Sequence, residues 1–438
     1  MRKAQYKRFL VILACVICFA LGMGAKLLYS KTEYMFLGKL SIYSLKTSYI
    51  IAGLVLLEWL VSNKIYKGIR YFWRYHTVKN SLELQMIDAG LFIERGNVLE
   101  LPVIKLRFER HLTSGVLRIR NSLKFDKKLD DIVMSSALKR YIVERHYTTD
   151  DSNYYVYEII DGSSNYKIEF KSYEEYQKYC EKIPTYSVFL DDRSIVKLQH
   201  TLLVGVTGSG KTYCLYNFIL QFFNKSVPYE LYYADPKGSS LAVIGQTVAP
   251  DKTAVGMEQI IEKLEEFVFK MRERKEEIKE LLKSRLDADY SNFDKSPYIF
   301  CFDEYASFVS VLANEDKKTR DKVNSLMSEV VLQGRQLGFF MLIIMQKSDA
   351  NLISTSLRDN IPLKIVLGNS EKQTYVTAFG TGVVIPNRHY KIGEGVFTEP
   401  GLAQEPKLVQ CPYLNFDILG AVINGNPRDV ITGVAEKE

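Results

Sequence analysis

The residues best equipped for chemistry fall within residues 200–220, HTLLVGVTGSGKTYCLYNFIL. Gly205, Gly210, Lys211 and Thr212 carry the spacing G-x-x-x-x-G-K-[ST] of a phosphate-binding loop. The loop Gly205, Val206, Thr207, Gly208, Ser209, Gly210, Lys211 and Thr212 would turn successive backbone N–H groups inward as an anion nest. The helix that follows would add its free N–H groups and the positive end of its dipole. Lys211 would reach the β- and γ-phosphates of ATP, and the Thr212 hydroxyl would hold Mg2+. An ordinary glycine turn is the plainer alternative, but an apolar strand, a loop and a helix arrive here in the order the nest requires.

A second pair of candidates ends the apolar run YIFCF, at Asp303 and Glu304. Asp303 would hold the Mg2+ water shell opposite Thr212, and Glu304 would polarise the attacking water as a general base. Adjacent acids after a strand are common in surface loops; the upstream glycine loop is what gives this pair meaning. Gln346 closes the run FFMLIIMQ, where a γ-phosphate sensor is expected, with a hydrogen-bonded polar strand end as the alternative.

These residues need a scaffold, and five apolar runs supply it: TLLVGV, ELYYAD, YIFCFD, FFMLIIMQ and LKIVLG. Their spacing predicts a mostly parallel, doubly covered sheet in an α/β domain. ELYYAD falls between the two motif strands in sequence, which suggests the additional-strand class of P-loop ATPases. Between the second and third runs, apolar residues from Ile261 to Leu282 recur every three or four positions and predict a long helix over residues 257–286.

Several stretches resemble the FtsK/SpoIIIE motor family in order: HTLLVGVTGSGKT its Walker A, ADPKG its Asp-Pro-Lys strand end, MRER its Met-x-x-Arg helix and FDEYASF its Walker B. The stretch GRQLGFFMLIIMQKSDANLISTSLRDNIPLKI resembles its run from arginine finger through sensor strand, and GEGVFTEPG its closing hairpin. The resemblance covers residues 186–415. It implies a RecA-like P-loop ATPase fold and a homo-hexameric ring that moves DNA by ATP hydrolysis. It also implies that Arg335 is a finger acting on the γ-phosphate of the neighbouring subunit, and that Lys372 stands where the family has a second basic sensor.

Composition frames the rest. The chain has 438 residues, 25% charged and 47% hydrophobic, which excludes a disordered or collagen-like chain. A net charge of +7 permits a nucleic-acid or anionic-membrane partner without requiring one. Cys15 and Cys18 form a C-x-x-C inside an apolar segment, which reads as packing; the other four cysteines are scattered and no disulfide framework is expected.

Two apolar segments, residues 9–29 and 42–61, are expected to span a membrane. Arg2, Lys3, Lys7 and Arg8 precede the first, and Lys64, Lys67, Arg70, Arg74 and Lys79 follow the second. The connecting loop, with Lys26, Lys31, Lys39 and Lys46 against Glu33, is less basic, so both termini are expected in the cytoplasm. Tyr66, Tyr71, Phe72, Trp73 and Tyr75 read as an interfacial aromatic belt.

The expected organisation is a basic cytoplasmic N-terminus (1–8), two transmembrane helices, a small α+β middle domain (80–185) and the motor (186–438). In the middle domain LRFERH and GVLRIR read as strands, residues 130–144 as a helix, and NYYVYEII with NYKIEF as a hairpin. The family's septal translocases carry four spans and a winged-helix reader; two spans and a single motor look more like coupling proteins of Gram-positive conjugative elements. The expected function is thus a cell-membrane, two-pass, DNA-translocating ATPase that hands relaxase-bound DNA to a conjugation channel. Alternatives are a chromosome-segregation or sporulation translocase, a type VII protein-secretion ATPase, which usually has several motors in tandem, and a P-loop scaffold that binds without hydrolysis. The segment 347–358, after the sensor strand, is a candidate pore loop.

Overall fold

The computed structural model describes residues 3–95, 98–122, 137–162, 167–347, 352–380, 383, 385 and 389–425. The chain divides into two compact units, Met1–Ser164 and Asn165–Glu438. The division falls about a helix earlier than 185/186 because residues 169–180 bond to the second unit. Glu169–Phe170 pairs in parallel with Tyr413–Leu414, and the buried Tyr176 hydroxyl donates to the Asn217 carbonyl at 2.9 Å.

The first unit opens with a helical hairpin, α1 (Lys3–Thr32) and α2 (Met35–Ser62). Each contains a stretch long and apolar enough to cross a membrane, Phe9–Thr32 and Met35–Ser62. The helices approach through small residues: a Cβ on Gly22 would stand 2.8 Å from Leu45 Cγ, and Ser44 Oγ donates to the Cys18 carbonyl at 2.6 Å. Cys15 likewise faces the Ser48 carbonyl at 3.4 Å, so both cysteines contact the facing helix. The helices run further than the sequence suggests, and only Glu33 and Tyr34 link them. Lys26, Lys31, Lys39 and Lys46 therefore lie in helices rather than in a connecting loop.

A third helix, α3 (Ile69–Asp88), packs on an antiparallel sheet of β1 (Ile104–Phe108), β2 (Ser114–Arg120), β3 (Tyr141–Thr148) and β4 (Tyr154–Asp161), in the order β1-β2-β4-β3. The buried face of α3 repeats every three or four residues, Tyr71, Tyr75, Val78, Leu82 and Met86, and meets Leu106, Phe108, Leu117 and Tyr157. This corrects the aromatic belt: Tyr71 and Tyr75 are core residues, while Tyr66 and Trp73 are exposed. Two further expectations fail. Residues 141–144 begin β3 rather than ending a helix, with 130–136 outside the described residues. NYYVYEII is a central strand between β2 and β3, not half of a hairpin with NYKIEF, because both of its edges are already paired. Lys105, Arg107, Arg118 and Arg120 alternate outward from the sheet.

The second unit is built on an eight-stranded sheet. In chain order its elements are α4 (Tyr173–Cys180), β5 (Thr201–Gly205), α5 (Lys211–Phe223), β6 (Glu230–Ala234), α6 (Ser240–Val248), β7 (Thr253–Ala254) and α7 (Met257–Leu282). There follow β8 (Tyr298–Phe302), α8 (Tyr305–Leu312), α9 (Lys317–Leu337), β9 (Phe339–Met345), α10 (Thr355–Asp359), β10 (Leu363–Leu367), α11 (Lys372–Phe379), β11 (Glu394–Glu399), β12 (Ala403–Gln410) and α12 (Ile418–Gly425). The strand order is β7-β6-β8-β9-β5-β10-β11-β12, parallel from β7 to β10 and antiparallel beyond. All five runs read from the sequence are strands, and each is almost wholly buried, as parallel strands covered on both faces must be. The strand inserted between the two motif strands is β9; β6 lies outside β8. The long helix α7 stops at Leu282, four residues short of the expected end.

His200, just before β5, is fully buried and its Nδ1 accepts from the Met341 N–H at 3.1 Å. Burial, with Arg335 adding a smaller push, lowers its pKa to about 3. The unfolded chain takes up this proton near pH 6.5 and the folded chain does not, so stability is full above pH 6.5 and drains as pH falls towards 3. Below pH 6.5 the His200 contribution is a loss of about 1.4 kcal/mol per pH unit. Urea midpoints at pH 7.5, 6.5 and 5.5 should fall more steeply for the wild type than for His200→Asn; equal slopes would remove the assignment.

Candidate nucleotide-binding site

The parallel register brings the chemistry to one edge. Val204 lies opposite Met345, Gly205 opposite Leu367, Phe302 opposite Ile343 and Ala234 opposite Phe302. Asp235, Asp303, Glu304, Gln346 and the glycine loop therefore all leave the carboxyl ends of their strands together, where open α/β sheets bind ligands.

The loop between β5 and α5 demands its glycines. A Cβ at Gly205 would sit 2.6 Å from Ser209 Oγ and 2.8 Å from the Leu367 carbonyl oxygen. Gly210 has φ +99°, and a Cβ there would meet Gly393 N at 2.9 Å. Gly393 N–H donates to the Ser209 carbonyl at 2.8 Å, so the segment before β11 braces the loop. Ser209 Oγ is buried and, among the described residues, has no hydrogen-bond partner. Lys211 Nζ is folded back on the loop, donating to the carbonyls of Gly205 and, at 3.2 Å, Val206. Thr212 is exposed at the first turn of α5. A nest lined by a lone lysine, an unpaired hydroxyl and a helix N-terminus suits a polyphosphate.

Asp303 fits a cation beside it. Burial pushes its carboxyl up to about 6, with Asp235 and Glu304 adding and Lys211 opposing. Such a carboxylate is stabilised by a positive ion arriving next to it. Among the described residues no three His, Cys, Asp or Glu side chains cluster as a metal cage. Mg2+ needs none, since it takes one or two protein oxygens and fills its shell with phosphate and water. Thr212 and Asp303 are the residues that would hold it.

Glu304 follows with φ +47°, a left-handed conformation that costs a non-glycine residue about 1 kcal/mol and recurs at functional sites. Its N–H donates to Asp303 Oδ1 at 2.9 Å, and its own carboxylate accepts from Lys237 Nζ at 3.0 Å. Lys237 belongs to the ADPKG turn. Asp235 in that turn is wholly buried and accepts from the N–H groups of Lys237, Ser239 and Ala242 and from Ser239 Oγ, which fixes the turn and starts α6. Lys211 is held below its usual lysine range by burial and by Lys237, against the pull of Glu304 and Asp303.

Gln346 is exposed one residue past the Val204–Met345 pair, between the glycine loop and Asp303. Arg335 is exposed on the last turn of α9 and acts on His200, at the start of β5. It therefore stands at the opposite edge of the sheet from this chain's own glycine loop. Lys372 opens α11, exposed, and Lys347 pairs with Glu371 at 2.7 Å; residues 348–351 of the candidate pore loop lie outside the described residues. Two contributors were not singled out from the sequence as site residues. Lys237 was quoted only within a motif, and no spacing links it to Glu304. Tyr413 stacks on Tyr213, the residue after Thr212, with centroids 5.9 Å apart and both rings exposed.

An added strand between the strands bearing the glycine loop and the paired acids, with those acids beside the nest, defines a P-loop nucleotide-binding domain of the additional-strand class. Residues 186–297 match the model of the FtsK/SpoIIIE family, so the resemblance read in the sequence holds for this stretch. An FtsK domain-containing protein, YdcQ, of Bacillus subtilis is 31% identical over 184 residues, 42% of this chain and 37% of that protein. The DNA translocase FtsK of Staphylococcus aureus is 25% identical over 201 residues, 42% of this chain and 25% of that protein. The matches thus span well under half the length of these relatives. Among solved structures, the pCW3 conjugation coupling protein TcpA, with ATPgS, aligns at TM-score 0.48 and 15% identity over 80% of this chain and 99% of that one. ATPases 2 and 3 of EssC from Geobacillus thermodenitrificans align at TM-score 0.41 and 17% identity over 56% of this chain and 46% of that one.

Proposed function

We propose that this chain is a membrane-anchored ATPase that moves DNA, working as a homo-hexameric ring and serving as the coupling protein that delivers relaxase-bound DNA to a conjugation channel. The observation that carries the catalytic part is the convergence of Lys211, Asp303, Glu304 and Gln346 on one sheet edge beside a glycine nest. ATP supplies the transferable γ-phosphoryl group and Mg2+ the charge that offsets it. Lys211 exchanges the loop carbonyls for phosphate oxygens. Glu304, released from Lys237, takes the proton of the attacking water, and Gln346 orients the groups around the γ-phosphate. The exposed Tyr213–Tyr413 pair offers a flat face for a purine ring.

The position of Arg335 supports a ring. It is exposed at the sheet edge remote from its own nest, so its use in catalysis requires the nest of a neighbouring copy. DNA as the substrate rests on the likeness to proteins named DNA translocases. Anchoring rests on the two apolar helices, with both termini cytoplasmic so that the ATPase meets ATP. The conjugative role rests on the combination of an apolar helical hairpin with an FtsK-like motor, which resembles coupling proteins of Gram-positive conjugative elements.

ATP turnover by the full chain in lipid nanodiscs tests this reading. Double-stranded DNA should raise the rate severalfold, and the effect should shrink steeply between about 50 and 200 mM salt as phosphate contacts are screened. Turnover indifferent to both single- and double-stranded DNA would overturn the assignment and favour protein export.

A further inference from the structure

We infer that the junction of α2 and α3 is a binding site for the phosphate headgroup of an anionic phospholipid; the inference rests on α1 and α2 crossing the bilayer. A cavity of about 980 Å3 opens there, lined by Lys67 from the turn between α2 and α3, by Tyr71 from the first turn of α3, and by Arg107, Arg110 and His111 from the β1–β2 hairpin. The hairpin is tied to the junction: Lys64 Nζ donates to the Leu106 carbonyl at 2.9 Å, and Phe108 N–H donates to the Tyr71 hydroxyl at 3.3 Å.

The cluster is electrostatically unsatisfied. Lys64 is held below its usual range by burial and by Lys67, Lys79 and Arg107 around it. The cations sit against ring faces, Lys64 over Tyr75 at 4.4 Å and Lys67 over Tyr71 at 5.0 Å. Three acids share the cavity wall. Glu158 is taken up by Arg145 in a two-pronged pair at 2.7 and 2.8 Å, Glu144 is buried, and Glu109 lies exposed in the hairpin. An added anion meets Lys67, Arg107 and Arg110, which among the described residues form no ion pair with these acids.

The location selects a lipid over a free anion. Lys67 follows the end of α2 by five residues, at headgroup depth if α2 spans. Around it Tyr66, Ile69 and Trp73 are 71%, 72% and 65% exposed, an apolar fringe that water does not favour and acyl chains do. Nothing in the nucleotide site requires this arrangement.

The test uses the full-length chain. Alkaline carbonate should leave it in the membrane; its release would overturn the anchoring and the inference with it. Native mass spectrometry of the detergent-solubilised chain, titrated with phosphatidylglycerol or phosphatidylcholine, should show retention of phosphatidylglycerol alone. Lys67→Glu with Arg107→Glu should weaken that retention at least tenfold, with Lys67→Gln and Arg107→Gln as a milder pair should charge reversal disturb folding. A membrane-retained variant of either pair that holds phosphatidylglycerol as the wild type does would overturn the headgroup site alone. Displacement of the lipid by millimolar inorganic phosphate would overturn the choice of a lipid over a small anion. ATP binding should be unchanged in all variants, since none lies in the second unit.

Discussion

A Glu304→Gln chain is expected to bind ATP as the wild type does and to turn it over about 10²–10⁴-fold more slowly, the usual loss when a positioned general base is removed. The expectation follows from where the residue stands. Glu304 is buried, is held in a left-handed turn at the end of β8, and directly follows Asp303. Gln keeps the size and can still accept from Lys237, so the loop should hold its shape while losing the proton acceptor. Comparing binding of a fluorescent ATP analogue with steady-state hydrolysis separates the two effects. Retained hydrolysis would move the base elsewhere, and loss of binding together with hydrolysis would make Glu304 a structural residue.

The second large effect belongs to Lys211→Ala, which should sharply weaken both binding and hydrolysis. The nest alone offers backbone N–H groups, and Lys211 is its full positive charge among the loop residues. In the structure that charge rests on the carbonyls of Gly205 and Val206, so it is already positioned over the loop when phosphate arrives. Its partial burial makes the ammonium easier to satisfy with a phosphate than with water. A fall of at least ~10²-fold in turnover is expected, comparable to removing one preorganised charge-stabilising donor. Equilibrium binding is the sharper readout, because Ala at this position leaves the glycine geometry intact. Near-normal affinity would mean that the phosphates sit elsewhere.

Much of the second unit was readable because its signals are local. The five parallel strands β5, β6, β8, β9 and β10 are nearly continuous apolar runs, and the glycine loop and the paired acids each sit at the end of one. What escaped was long-range. That β9 inserts between β5 and β8 is a matter of pairing, which no run of residues states. The ion pair of Lys237 with Glu304 joins two turns that only the sheet brings together. In the first unit the misreadings were local conflicts. Tyr71 and Tyr75 are aromatic residues just past an apolar helix, which suggests a membrane interface, yet their four-residue spacing puts them on the buried face of α3. Residues 141–144 end a stretch that reads as a helix, yet Tyr141, Ile142 and Val143 are strand formers, and Tyr141 and Glu144 are buried in a strand whose partner is β4. NYYVYEII sits near a turn-like sequence, but it is paired on both edges and has no room for the expected hairpin mate.

The most direct test of the account follows the DNA itself. The full chain in nanodiscs would be given double-stranded DNA bearing a short third strand, and release of that strand would be timed with ATP, with a non-hydrolysable analogue, and with the Glu304→Gln chain. ATP-dependent release by the wild type alone is the predicted result. Steady ATP hydrolysis with the third strand left in place, at any DNA length, would contradict the claim that this chain moves along DNA.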